Sequence, residues 1–402
     1  MQQKPYPRTS TSHLSEISFL LTQRIALFHD PEVEWRRIGE FEERLLAHVD
    51  GIVEGGEPAA RVAIEWLVDS DSDNVRAAAY ALPFTNSKDA LPAVIEALQK
   101  ADPELVTVFV DALKFTECSI LASQLLPLLN HNQPHIRAAT VEILGYRREV
   151  DAMQLVPLLD DPDTTVVAAA ARALRRIGAS PVTLKLQQAL ARLGPSDGLE
   201  IAITLLDEPS LTAFCAGPKS DRARSLPYAA FLGIPFKSEQ TTVADIQYRG
   251  LSGLSEQIPE LIQALDDKNT EIRAAAAQSL EMITGAGLVE TVEETQEFTD
   301  PDGNVVDSET TAVTRISQSA ATWRNWWSQN QGQFKGGGRQ RYRRGQPINA
   351  QTLIAELTRP IATYYERHAA ACELAALHGA KYRLFEPDWF VKKQQSALAG
   401  WR

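Results

Sequence analysis

Between Leu155 and Gly178 the sequence LVPLLDDPDTTVVAAAARALRRIG sets an apolar cluster, a polar turn and a long apolar stripe in succession. Leu155, Val156, Leu158 and Leu159 form the cluster. Val166, Ala169, Ala170, Ala173, Leu174 and Ile177 recur at i, i+3, i+4 and i+7, the spacing that puts residues on one helix face. The stretch therefore predicts a helix end, a capped turn and a second helix. Asp161 is expected to accept from orphan N–H groups, Pro162 to open the helix, and Gly178 to stop it. The alanines let two helices approach closely, and Ala139, Ala169 and Ala275 hold corresponding places.

The unit recurs upstream in WLVDSDSDNVRAAAYAL, LQKADPELVTVFVDAL and LLPLLNHNQPHIRAATVEILGY, and downstream in LIQALDDKNTEIRAAAAQSLEMITG. The anchors Val75, Val106, Ile136 and Val166 are 31, 30 and 30 residues apart, and the last copy anchors on Ile272. A period of this length built from helix pairs predicts an all-α solenoid.

An acidic turn followed by Val/Ile-Arg, Ala-Ala, Leu and Gly resembles the HEAT repeat, in the short form named after phycobilisome lyases. The resemblance covers residues 65–178 and 257–285 best. It implies a polar ladder linking turn aspartates to the arginine after each anchor. That maps to Asp69 or Asp71 with Arg76, to Arg137, and to Asp266 or Asp267 with Arg273, while Thr107 and Val167 interrupt the ladder. The N-terminal EFEERLLAHVDGIVEGG is similar to an uncharacterised bacterial HEAT-repeat family often encoded near type VI secretion genes.

The rest of the chain divides by texture. Residues 1–13, rich in Pro, Ser and Thr, read as a disordered tail, and 14–56 as N-terminal capping helices. The repeats span 57–285, irregular at 208–241. Residues 286–316 form an acidic insert in which β-branched runs flank Asp300-Pro301-Asp302-Gly303, predicting a β-hairpin near 291–314. A Trp-rich helix (317–331), a basic Gly-rich linker (332–348) and a C-terminal helical cap (349–402) follow. The cap contains helices over Ala350–Leu357, Ile361–Leu377 and Asp388–Leu398.

The formal charge of −12 argues against a protein whose main task is to grip nucleic acid. Cys118, Cys215 and Cys372 are widely separated, which favours a reducing compartment. The N-terminus lacks the pattern of a secretion signal, and no apolar run is long enough to span a bilayer. Together these predict a cytoplasmic protein with no membrane attachment. No nucleotide, metal or cofactor motif is present, and His131 and His135 fall on either side of Pro134 rather than on one helix face.

These features favour a non-enzymatic protein–protein interaction scaffold. The second helix of each repeat would line a concave surface, with Glu96, Asp151, Gln154, Gln187, Glu260 and Gln263 exposed there and Glu293, Glu294 and Glu297 on the hairpin. Such a mixed polar and acidic face suits a basic or polar protein partner, for which the family resemblance implies an effector or a toxin. Trp323, Trp326 and Trp327 share one helix face and serve either as a docking site or as an anchor between solenoid and cap. Lys335, Arg339, Arg341, Arg343 and Arg344 form the basic segment, either a linker or a strip that follows a phosphate backbone. The alternative functions are therefore nucleic-acid binding through 334–344, or a HEAT-like DNA-repair enzyme.

Overall fold

The recurring acidic turns decide where the helices begin. In three repeats one side chain accepts from the backbone N–H two residues on, and that residue in turn caps the helix. Asp69 accepts from Asp71 N and Asp71 from Asp73 N; Asp161 from Asp163 N and Asp163 from Thr165 N; Asp267 from Asn269 N and Asn269 from Glu271 N, at 2.8–2.9 Å throughout. Such short polar side chains satisfy helix N–H groups that have no intrahelical partner. The helix after Asp161 thus starts at Thr164 with Asp163 as its cap, and Pro162 lies in the turn rather than at the first helical position. His131 fills the aspartate's role one repeat earlier, its Nδ1 meeting Gln133 N at 3.2 Å, while His135 Nε2 meets the Ala101 carbonyl.

The computed structural model describes residues 7–401 apart from 31–32, 70, 179–181, 217–218, 235–240, 300–304, 335–339, 379–381 and 383. Side chains at 7–8, 195–196, 219–223, 296–299 and 305–307 are likewise outside the description. The fold is an all-α solenoid with a small inserted hairpin, in two units: Met1–Leu211 with Ile354–Arg402, and Thr212–Leu353.

In the first unit the helices are α1 (Pro7–His29), α2 (Ile38–Glu54), α3 (Gly56–Trp66), α4 (Ser72–Ala81), α5 (Ala90–Lys100), α6 (Leu105–Leu113), α7 (Leu121–Leu125), α8 (Pro134–Arg147), α9 (Ala152–Leu155), α10 (Thr164–Ile177), α11 (Thr183–Asp197) and α12 (Leu199–Leu205). Helix α1 begins inside the stretch expected to be a disordered tail: Ser10 is buried there and His13 Nδ1 meets His48 Nδ1 of α2 at 3.0 Å, ahead of the fully buried Leu14 and Ile17. Helices α1, α4, α6, α8, α10 and α12 pack each on the next, and α3, α5 and α7 form a second row. The anchors Val75, Val106, Ile136 and Val166 are all buried. Of the expected ladder, one rung in this unit joins two repeats: Arg137 donates to both carboxylate oxygens of Asp161 at 2.8 Å. Arg76 pairs with Asp73 of its own helix instead.

Helices α8 and α10 touch closely because Gly145 faces Ala173. A Cβ at 145 would lie 2.4 Å from Ala173 Cβ and 2.8 Å from its Cα. Alanine in a helix interior normally gains about 1 kcal/mol over glycine. Here the neighbour is backbone and cannot rotate away, so overpacking at about 1–3 kcal/mol should prevail. Gly145→Ala is expected to lower the melting temperature; a raised one would show that the two helices can separate freely.

The second unit holds the repeat helices α13 (Glu208–Cys215, which begins in the first unit), α14 (Lys219–Leu232), α15 (Val243–Ser252), α16 (Ile258–Ala264) and α17 (Thr270–Thr284). After them come strands β1 (Val289–Thr299) and β2 (Val305–Ile316), helix α18 (Ala320–Asn330), and the two-residue strands β3 (Tyr342–Arg343) and β4 (Gln346–Pro347). The turn signal at Asp300–Gly303 lies outside the described residues. In this unit Arg273 donates to the Asp267 and Lys268 carbonyls, and Arg324 pairs with Asp266.

Helix α19 (Ala350–Thr358) leads back to the first unit, which α20 (Tyr364–Leu377) and α21 (Val391–Ala399) complete. Helix α20 starts later than the apolar pattern suggested because Thr363 and Glu366 form a reciprocal capping box, leaving Ile361 outside and exposed. Residues 384–390, expected to be helical from Asp388, contain no helix.

Candidate interaction surfaces

Strands β1 and β2 pair antiparallel from Val289↔Ile316 to Phe298↔Asp307, with a register shift before Thr299↔Val305. Alternation divides their side chains between two faces. One carries Thr291, Glu293 and Thr295 opposite Thr314, Ala312 and Thr310, with Thr–Thr hydroxyl contacts of 3.3 and 2.9 Å. The other carries Glu290, Val292 and Glu294 opposite Arg315, Val313 and Thr311. Glu293 and Glu294 are exposed; the Glu297 side chain lies outside the description. At the root, Arg315 donates to Glu290 at 3.0 Å. Burial would lift the Glu290 carboxyl, but the Gln318 backbone N–H, Arg315 and Ser317 hold it below its ordinary value. Among the described residues no third strand pairs with either edge of the hairpin.

The remaining expected contact residues lie elsewhere than predicted. Glu96 is on α5, Asp151 and Gln154 open α9, Gln187 is on α11, and Glu260 and Gln263 are on α16. These are the first helices of their pairs, whereas the anchor residues sit on the second. Several are also committed locally. Glu96 pairs with Lys100, Asp151 and Gln154 form a capping box, and Glu260 pairs with Arg249. Gln187 and Gln263 are exposed.

The tryptophan helix turns inward. Trp323 is fully buried and donates its indole N–H to the Ser317 carbonyl at 2.7 Å. Half-buried Trp326 and Trp327 pack on Phe334. All three belong to one apolar cluster with Leu261, Ile262, Leu280 and Ile283.

The basic segment is not a linker where it is described. Arg341 donates to the Leu251 and Ser252 carbonyls at the end of α15. Arg344 N and Gly345 N donate to the Met282 and Ile283 carbonyls at the end of α17, and the Arg344 side chain reaches Glu281 at 2.8 Å. Basic groups at helix C-termini satisfy orphan carbonyls and complement the dipole. Gly253 and Gly285 make this approach possible: both have positive φ, and a Cβ on either would strike the segment's backbone within 3.0 Å. Tyr342 and Arg343 are buried. Lys335 and Arg339 lie outside the described residues.

A polar groove in the first unit was missed by reading the sequence. The C-terminal end of α8 carries Tyr146 and the cap residue Arg148, that of α10 carries Arg176, and α1 adds Arg24. Against them lies Leu384–Val391. Arg24 donates to the Asp388 carbonyl at 2.6 Å, Tyr146 to the Asp388 carboxylate at 2.8 Å, Arg176 to Glu386 at 2.8 Å, and Arg148 to the Leu384 carbonyl. Glu42 accepts from Val391 N at 2.7 Å and from Arg24 at 2.8 Å. Arg24 is stacked among Phe28, Phe115 and Phe390, its guanidinium 4.6–4.7 Å from each ring. Burial alone would raise the Glu142 carboxyl, but Arg176 and Arg172 outweigh it and hold it at about 2. For Glu42 burial wins over Arg24, and the carboxyl is raised. Burial, then Asp388 and Glu386, push the Tyr146 hydroxyl far above its ordinary value. The available signal was the pairing of Arg147-Arg148 with Arg175-Arg176 at matching helix ends, together with the acidic Glu386-Pro387-Asp388.

The family model for HEAT repeats matches residues 122–207, and the model for the single HEAT repeat matches 258–285. No curated protein matches the chain. The crystal structure of an engineered protein from the Northeast Structural Genomics Consortium is similar at 16% identity over 66% of this chain and 95% of its own, with a TM-score of 0.18, too low to inform the fold. No described helix is long and apolar enough to cross a membrane.

Proposed function

We propose that this chain, whose repeats support a HEAT-repeat family, is a non-enzymatic scaffold that holds a basic protein partner through its acidic hairpin. HEAT repeats build helical scaffolds that often mediate protein interactions, which supports the general role. One observation carries the choice of element: Glu293 and Glu294 stand exposed on opposite faces of a hairpin whose sequence has eight acids and no base between Glu290 and Glu309. A partner of positive charge would be steered to it over the range of a Debye length. The resemblance to a bacterial family encoded near type VI secretion genes extends the proposal. Within it, the partner is an effector or a toxin, and the chain acts in the cytoplasm as an adaptor or an immunity protein. Nucleic-acid binding through 334–344 draws no support from Arg341 and Arg344, which are engaged with helix ends.

The test is kinetic. With the protein captured from native lysate as the analyte, raising salt should slow association more than it speeds dissociation. Reversal of Glu293, Glu294 and Glu297 to lysine should cut the association rate about tenfold or more, as loss of steering does. Association that ignores both salt and charge reversal would overturn the hairpin as docking element.

A further inference from the structure

The groove beside α1, α8 and α10 is filled by a segment of the same chain. Leu384–Phe390 runs without helix, and Pro387 fixes one of its φ angles. It is held by two kinds of contact. Arg24 and Arg148 donate to its backbone carbonyls, and Glu42 accepts from its N–H at Val391. Arg176 and Tyr146 bind its two carboxylates, Glu386 and Asp388. The first kind would accept any extended segment; the second selects acids spaced two apart. Phe385 and Trp389 are buried alongside, supplying apolar anchors of the kind that dominate binding energy.

Two further features adjoin the groove. Arg148, which reaches Leu384, is the C-cap of α8 and takes the left-handed conformation, φ 60°, in which helices commonly end. Next to Trp389–Val391 lies a solvent-open pocket of about 730 Å³, lined by as many acidic as basic side chains, among them Glu43, Glu117, Glu149, Lys114, Arg147 and Lys393.

We propose that this groove is a recognition site for an extended acidic–aromatic segment of a partner protein, with two carboxylates flanking a proline and an aromatic residue following, and that Leu384–Val391 occupies it in cis. The site is independent of the hairpin and has the opposite charge preference. A tethered occupant competes at an effective concentration in the millimolar range, so the closed chain excludes weak ligands and yields to strong ones.

The probe is a fluorescein-labelled peptide of residues Leu384–Gln395, offered to the full chain. Wild-type chain should bind it weakly. The double variant Glu386→Gln/Asp388→Asn, which weakens the tail's grip while leaving the groove intact, should bind it at least tenfold more tightly. It should also prefer it at least tenfold over the same peptide carrying the Gln and Asn. Adding Tyr146→Phe should remove most of that gain. Unchanged circular dichroism establishes folding, and hydrogen exchange over 384–391 reports release of the tail. Three results would overturn the proposal: a released tail with no gain in peptide binding, equal binding of the acidic and neutral peptides, or tail protection unchanged by the double variant. A second control uses the wild-type chain alone, in which a large excess of unlabelled acidic peptide should raise exchange over 384–391; no change there would likewise count against it.

Discussion

Alanine at Trp323 is expected to cost the unit Thr212–Leu353 about 3–5 kcal/mol, the range for removing a fully buried large aromatic side chain. The loss has three parts. The indole is 0% exposed among Leu261, Ile262 and Leu280, so its removal leaves a cavity. The Ser317 carbonyl loses its 2.7 Å donor in an apolar setting. The edge-on contact with Trp326 at 6.1 Å also goes. Hydrogen exchange should show faster opening over 258–284 with little change over 134–177, because the two stretches belong to different units. Trp327→Ala, at a half-buried position, should cost less than half as much. Equal effects from the two variants would mean that the shared helix face, rather than the single buried indole, anchors this unit.

Arg176 offers the second large effect. It is the cation shared by Glu142 at 2.6 Å and Glu386 at 2.8 Å, with side chains 13%, 21% and 6% exposed respectively. Breaking a buried pair from one side leaves uncompensated charge, so Arg176→Met should destabilise the first unit by about 3–5 kcal/mol. The same cluster predicts an acid response. Glu142 is held at about 2 against an ordinary value of 4.5. A depressed carboxyl contributes stability that is complete above its unfolded pKa and is lost as pH falls through the folded one, about 3 kcal/mol for a shift of this size. The window is therefore pH 4.5 down to 2. Glu42, raised by burial, acts in the opposite sense, since protonation relieves the cost of its buried charge. Denaturant midpoints of wild type and Glu142→Gln separate the two: the variant should lose most of the dependence between pH 4.5 and 2. A variant curve parallel to wild type would assign the acid response to other groups.

The solenoid was legible because its determinants are local. A helical stripe and an Asp-x-Asp turn are complete within some twenty residues, and the buried anchors Val75, Val106, Ile136, Val166 and Ile272 follow from period alone. The hairpin was legible for the same reason, its β-branched runs flanking one turn signal. The basic segment was ambiguous in composition: glycine and arginine describe a mobile linker and a helix-capping strip equally well. Only the approach of Arg344 to the end of α17 decides between them. The assignment of Glu96 and Glu260 to second helices failed because a periodic pattern fixes the spacing of helix pairs but not which helix faces the partner. The groove was hidden most deeply. Arg24 recognises a backbone carbonyl 364 residues away, and a carbonyl has no letter in the sequence.

That separation bears on how the chain acquires its structure. The first unit is made of Met1–Leu211 and Ile354–Arg402, whereas the second is continuous from Thr212 to Leu353. Synthesis proceeds from the N-terminus and domains fold as units. On the ribosome, α1 to α12 therefore wait for their final partner while the whole of the second unit emerges and can fold. During that interval Arg24, Tyr146 and Arg176 face water, and the apolar surfaces later covered by Phe385 and Trp389 stand open to other chains. The bonds that close the unit span 242 and 364 residues, contacts of the kind that slow folding most. A chain from which Ile354–Arg402 is missing would lack the strap that closes its first unit.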